Sequence, residues 1–305
     1  MIRKNLKYLI VSLVMAFCGI CSMKAEVVYV DPLFEYPVAP EELTNLSDKC
    51  NWVMQHFWEP MDFKGKNALN QAAVNDAFKV YSLPMQWADK TEVDKSIDKL
   101  NALLLKNPTR HIQFMKAAEE NLYSQRANVW IDEVYVKLLE SFMKNKKVPD
   151  SRKIRYRRQL QQIKNSLTGA VAPSFDFTTP TGNPGKFQPI GVFTIIEFGD
   201  PDCDDCRHAK LKMETDMKFT SLVDRGLVNV MFIIPDPVEG WQTQLSDYPS
   251  KWVVGASDSV SDILDIRTTP SFFVIGKDGT IVGKNLSIDE AKRLAFQEEA
   301  NQTSK

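Results

Sequence analysis

The periodicity of the apolar residues changes near residue 170, and that change limits the fold more than any other feature of the chain. From about Glu41 to Leu167 glycine is scarce and apolar residues recur at three-and-four spacing, as in Leu43, Leu46, Cys50, Val53, Met54 and Phe57, or Trp130, Val134, Leu138 and Phe142. That spacing places them along one face of a helix. Breaks at Pro60, Pro84, Pro108 and Pro149 divide the region into about six helices, with Asn67 to Tyr81, Thr91 to Leu105, Pro108 to Tyr123 and Asp150 to Ile163 among them. Trp52, Phe57, Trp58 and Trp87 are expected in its packed core, and the charge run from Arg152 to Arg158 on a solvated helix face.

Beyond Gly169-Ala170-Val171-Ala172-Pro173 the apolar runs shorten. A turn-rich stretch from Thr178 to Gly185 predicts a hairpin connection, and Val192 to Phe198 predicts a buried strand. A helix opening near Cys203 and running to about Ser221 is expected next, followed by a strand over Leu227 to Ile234. An irregular stretch from Asp236 to Arg267 either shapes a groove or covers a sheet edge. Strands over Ser271 to Ile275 and Thr280 to Val282 flank the turn Lys277-Asp278-Gly279, and Ser287-Ile-Asp-Glu290 has the form of a capping box opening a last helix. Helices in the first half and alternating strands and helices in the second make the expected class α plus α/β.

The N-terminal 25 residues read as a secretory signal: Arg3, Lys4 and Lys7, an apolar run from Tyr8 to Cys21, then small residues ending at Ala25. The run is too short for the roughly 20 residues that a spanning helix needs, so no permanent transmembrane helix is expected. A lipid-modified Cys21 is the alternative to cleavage, though Ile20 stands where such signals usually carry a small residue. The expected divisions are a signal over 1–25, a helical domain over 26–168 and a second domain over 169–305. The whole chain has 38 Lys and Arg against 39 Asp and Glu. Loss of the signal would leave the protein mildly acidic, which speaks against a nucleic-acid partner.

Three histidines and five cysteines restrict the chemistry. His56, His111 and His208 lie too far apart for an HExxH zinc motif, and neither GxSxG nor GxxxxGK[ST] occurs. Cys18 and Cys21 fall in the signal, and Cys50 sits on the apolar helical face, where a thiol acts as a small hydrophobe. Cys203-Asp204-Asp205-Cys206 remains. A CxxC alone fits zinc or redox chemistry, but a structural zinc site needs four ligands and the chain without its signal offers no second pair, which favours redox. A cysteine just before a helix meets unsatisfied backbone N–H groups and the positive end of the helix dipole, which stabilise the attacking thiolate. Cys206, three residues on, shares its side of the helix and can resolve a mixed disulfide.

Glu197-Phe-Gly-Asp-Pro-Asp-Cys203-Asp-Asp-Cys206, followed by Thr269-Pro270-Ser-Phe-Phe-Val-Ile275, resembles the thioredoxin fold. Ala172-Pro173-Ser-Phe-Asp-Phe177 and Val274-Ile-Gly-Lys-Asp-Gly-Thr-Ile-Val282 are similar to its envelope branch, the TlpA/ResA-like thiol-disulfide oxidoreductases. The helical half, with Pro37-Val-Ala-Pro40 and His56-Phe-Trp-Glu-Pro-Met-Asp-Phe63, resembles the DUF5106-type domain that precedes thioredoxin-like domains in Bacteroidetes proteins.

The resemblance implies a central mixed β-sheet flanked by helices, a cis Pro270, a Thr269 backbone that pairs with a substrate strand, and a buried Glu197 that takes a proton from Cys206. A rim-exposed Glu197 is the alternative. It further implies protein thiols and disulfides as partners, an envelope electron donor, and no cofactor beyond the Cys203–Cys206 disulfide. Two positions depart from the pattern: Asp202 replaces the usual Trp, and Asp204-Asp205 the usual Gly-Pro or Glu-Pro. Carboxylates beside the sulfur oppose its ionisation, which leans the expectation towards a reductase. His208 is expected on the surface. A disulfide isomerase, or a binding protein whose CxxC is structural, are the other readings.

Overall fold

The computed structural model describes residues 31–303 apart from Lys66 and Ile190; the expected signal, with Cys18 and Cys21, lies outside the described residues. Among the described residues of the first half six α-helices form: α1 (Leu46–His56), α2 (Gln71–Ser82), α3 (Lys90–Leu104), α4 (Pro108–Leu122), α5 (Asp132–Lys144) and α6 (Ile154–Asn165). Asn45, Asn70 and Asn107 open α1, α2 and α4 by accepting hydrogen bonds from backbone N–H groups of the first turn, which satisfies donors a helix start would otherwise leave bare. Their apolar faces meet in one core around Phe57, Trp58, Phe78, Tyr81, Phe114 and Leu139. Cys50 is buried in α1, as its spacing predicts.

Of the expected core aromatics Phe57 and Trp58 are buried while Trp52 is only half-buried, and two further tryptophans lie elsewhere than their pattern suggests. Trp87 is half exposed, because it terminates a single 3-10 turn (Leu83–Gln86) rather than lying on a helix face. Trp130 precedes α5 instead of heading its apolar stripe, and its ring packs 5.3 Å from the guanidinium of Arg267.

The second half forms a seven-stranded sheet from β1 (Phe175–Thr178), β2 (Pro184–Phe187), β3 (Phe193–Phe198), β4 (Val228–Ile234), β5 (Val253–Ala256), β6 (Ser271–Ile275) and β7 (Ile281–Leu286), in the order β2-β1-β5-β4-β3-β6-β7. The β3, β4 and β5 neighbours run parallel, and the remaining pairs run antiparallel. All six residues of β3 are buried, as expected for a strand covered on both faces. On one face Phe193, Ile195, Val230 and Val274 pack against Ala209, Met213, Phe219, Leu222 and Ala291. These come from α7 (Asp204–Glu214), α8 (Met217–Asp224) and α10 (Ile288–Thr303). On the other face Phe198, Met231, Ile233 and Phe273 pack with Phe175, Phe177 and Val260, the last from the short α9 (Val260–Ile263).

Three expectations are corrected. The helix through Ser221 is two helices, because the Asp216 side chain accepts from the N–H groups of Lys218 and Phe219 and starts α8 afresh. The stretch over 236–267 is not wholly irregular: it contributes β5, inserted between β1 and β4, along with α9. Gly255 is needed in β5 because a Cβ there would come within 2.6 Å of the Thr178 carbonyl on β1. Strand β7 also extends to Leu286, beyond Val282. The Ser287–Glu290 capping box forms, with Glu290 accepting from the Ser287 N–H at 2.8 Å and Ser287 Oγ accepting from the Glu290 N–H at 3.3 Å.

Candidate functional site: a dithiol at the start of helix α7

Strand β3 ends at Phe198, and Gly199 to Asp202 carry the chain across the end of the sheet to Cys203, the residue that caps α7. Cys203 is extended, and its sulfur accepts from the Cys206 N–H at 3.3 Å, one of the first-turn donors that a helix leaves open. Opposite it, the Thr269 carbonyl lies 3.9 Å from the Cys203 sulfur, and the Thr269–Pro270 peptide bond is cis. The structure therefore brings together Cys203, Cys206, Thr269 and Pro270, which the sequence separates by more than 60 residues.

The two thiols sit in different environments. Cys203 is partly exposed, whereas Cys206 is fully buried, and its sulfur accepts from the Asp200 N–H at 3.5 Å. Burial pushes the Cys206 thiol far up, and hydrogen bonding to Cys203 and the nearby Cys203 and Glu197 charges add to it. Gly199 is the close-approach residue of this turn: a Cβ there would strike the Phe232 ring at 2.5 Å and stand 3.4 Å from the Cys206 sulfur.

Glu197 is fully buried, not on a rim. Its register neighbours are Phe232 on β4 and Phe272 on β6, so its own face of the sheet surrounds it with aromatic rings. Neither carboxyl oxygen has a hydrogen-bond partner. Desolvation alone accounts for its rise to about 8, because an unpaired charge in such a place is costly. Tyr248, whose ring lies 4.6 Å from that of Phe232, is pushed up by burial and then by the charges of Glu197 and Cys206. Sequence reasoning missed Tyr248, which no local motif marks.

Three of the carboxylates crowding the thiols are engaged. Asp200 accepts from the Asp202 N–H at 2.9 Å, Asp202 accepts from Gln244 at 3.2 Å, and Asp204 pairs with Arg207. His208 is exposed. A cleft of about 280 Å³ opens beside the dithiol between Asp200-Pro201 and Thr268-Thr269, with Trp241, Gln244 and Gln125 as further walls. Part of the 236–267 stretch thus shapes a groove. Among the described residues no group of three or more His, Cys, Asp or Glu could hold a metal ion, and no helix is long and apolar enough to cross a membrane.

A strand leading into a cysteine-capped helix, faced by a cis-proline loop, defines a thioredoxin-like fold. The same fold, with a helical part before it, is found in a thioredoxin-like protein from Bacteroides caccae: the structures align with a TM-score of 0.71 at 16% identity over 88% of this chain and 99% of that one. Residues 19–166 match DUF5106, a domain of unknown function. Two further similar structures cover less than half of this chain. One is the thioredoxin domain of a thiol-disulfide oxidoreductase from Bacteroides vulgatus (22% identity, 43% of this chain and 96% of that one, TM-score 0.38). The other is a conserved protein of unknown function from Bacteroides fragilis (25% identity, 42% and 98%, TM-score 0.40). No curated protein matches.

Proposed function

We propose that this chain is an exported thiol-disulfide oxidoreductase that works mainly as a reductase of protein disulfides in the cell envelope. The observation that carries this reading is the pairing of a partly exposed Cys203 sulfur, capping α7 and facing the Thr269 carbonyl, with a Cys206 thiol buried behind it. Cys203, as thiolate, attacks one sulfur of a substrate disulfide. A mixed disulfide forms and one substrate thiolate leaves. Cys206 then gives its proton to Glu197 and attacks the Cys203 sulfur, which expels the second substrate thiolate and leaves a Cys203–Cys206 disulfide.

Two electrons have then passed to the substrate. An envelope electron donor restores the dithiol, and no other cofactor takes part. Glu197 suits the proton step because its pKa near 8 lets it hold or release a proton near neutral pH. The substrate chain lies along the backbone of Thr269 and Pro270. Reduction is the direction favoured here because three acidic residues, Asp202, Asp204 and Asp205, flank Cys203 in the chain. The basic and apolar N-terminal 25 residues support export.

The test is the redox potential of the Cys203–Cys206 pair, measured together with capture of partners by a Cys206→Ser variant. A potential above about -300 mV and a covalently trapped disulfide partner support the reading. A pair that stays oxidised below that value, with nothing trapped, would make the disulfide structural and the chain a binding protein.

A further inference from the structure

The loop that presents Thr269 is held in place by the helical part. Residues 261–267 run directly into it, and five side chains from α5, α6 and the end of α6 bind polar groups along them. Arg158 pairs with Asp262 and Gln162 donates to the Ser261 carbonyl. Asn165 donates to the Ile263 carbonyl at 3.0 Å, and Ser166 Oγ accepts from the Asp265 N–H at 2.9 Å.

The centre of this grip is Arg267, two residues before Thr269. Its guanidinium donates to Asp132 Oδ1 at 2.6 Å and to both oxygens of Asp265 at 3.1 and 2.7 Å. It also lies over the rings of Tyr123 and Trp130 at 4.7 and 5.3 Å. Lys284 on β7 bridges the same two carboxylates, at 2.9 Å from Asp132. Arg267, Asp265 and Lys284 are almost fully buried and Asp132 largely so. Two anions face two cations. Removing one member would leave an uncompensated buried charge, which is much more costly than losing a surface pair.

We propose that the helical part is a built-in clamp on the substrate-pairing loop, with Asp132 as its positioning residue. Asp132 touches neither thiol nor substrate; it acts through Arg267, and so sets where the Thr269 backbone stands relative to the Cys203 sulfur. Gln125 extends the same control to the outer wall of the cleft. The clamp governs how a polypeptide disulfide is seated rather than how readily the sulfur reacts. This inference rests on the redox reading above.

The test compares the full chain with its Asp132→Asn and Asp132→Glu variants in two reactions. One is reduction of a peptide disulfide, which must lie along the loop; the other is reduction of 5,5′-dithiobis(2-nitrobenzoate), which need not. Asp132→Asn is expected to raise KM for the peptide about tenfold, with kcat and the small-disulfide rate changed less than threefold, and Asp132→Glu to recover much of the loss.

Equal KM in the wild type and Asp132→Asn overturns the clamp. A parallel fall of both reactions overturns it too, since that is the signature of lost folded protein. If Asp132→Asn does not fold, the doubly substituted Arg158→Ala, Asn165→Ala chain, which removes two more exposed contacts, must show the same selective rise in KM or the clamp is excluded. A wild type that reduces neither compound sinks the redox reading itself, and with it the clamp.

Discussion

Glu197 and Cys206 lie on the same side of the sheet, close enough that the carboxylate charge adds to burial and to Cys203 in driving the thiol upward. A charge on Glu197 makes ionisation of Cys206 more costly, and with both groups raised above their ordinary values each keeps its proton at neutral pH. In the proposed reaction this links loss of the Cys206 proton to the protonation state of Glu197.

Replacing the carboxyl tests it. Folded Glu197 titrates near 8 instead of the ordinary 4.5, so between those values the folded chain holds a proton that the unfolded chain has released. Stability contributed at this site is therefore full below pH 4.5 and declines as pH rises through 8. Glu197→Gln should unfold at higher urea than the wild type, with the difference growing across that window towards roughly 5 kcal/mol. The same variant should resolve mixed disulfides roughly tenfold to a hundredfold more slowly at pH 7. Equal pH profiles of stability for the two proteins would remove Glu197 from the scheme.

Alkylation should separate the thiols. Cys203 is partly exposed while Cys206 and Cys50 are buried. Brief treatment of the reduced native protein with iodoacetamide should place one carbamidomethyl group, on Cys203 by peptide mass mapping. Labelling of Cys206 first would contradict the proposed order of attack.

Gly199→Ala should be costly despite its small size. The added methyl meets the Phe232 ring, itself fully buried, at 2.5 Å, so the turn into Cys203 must shift. A loss of roughly 1 to 3 kcal/mol is expected from urea unfolding, together with a slower resolving step by Cys206. An unchanged midpoint would show that the ring moves aside freely.

Acid should loosen the join between the helical part and the sheet. Burial on its own would raise Asp132, but Lys284 and Arg267 outweigh it and hold the carboxyl below its usual value of 3.8. Its contribution to stability is complete above that value and lost as pH falls through the lower, folded one. Wild type should lose more stability than Asp132→Asn between pH 5 and about pH 2, as followed by urea titration. Parallel losses would show that other carboxylates control acid unfolding.

What could be read in the chain beforehand depended on how local its cause is. Ser271 to Ile275 was recognisable to the residue because five consecutive buried positions need no partner to identify them. The cis Thr269–Pro270 bond came from resemblance and stands where it implied, and the helix opening at Cys203 was legible in the chain itself. Strand β5 escaped because four residues, one of them Gly255, show no clear alternation, and its identity comes from the backbones on either side. The break at Asp216 escaped for the opposite reason: it is local, but one side-chain cap interrupts an otherwise continuous helical pattern. Nothing local could reveal Arg267 and Asp132, which are 135 positions apart.

That separation also constrains descent. A thioredoxin fold exchanged onto a different helical partner would bring Asp265, Arg267 and Lys284 without Asp132, and so a surplus positive charge at the seam. The two halves are therefore expected to be inherited as a matched pair, in which a change of sign at position 132 survives only beside a compensating change at 267 or 284.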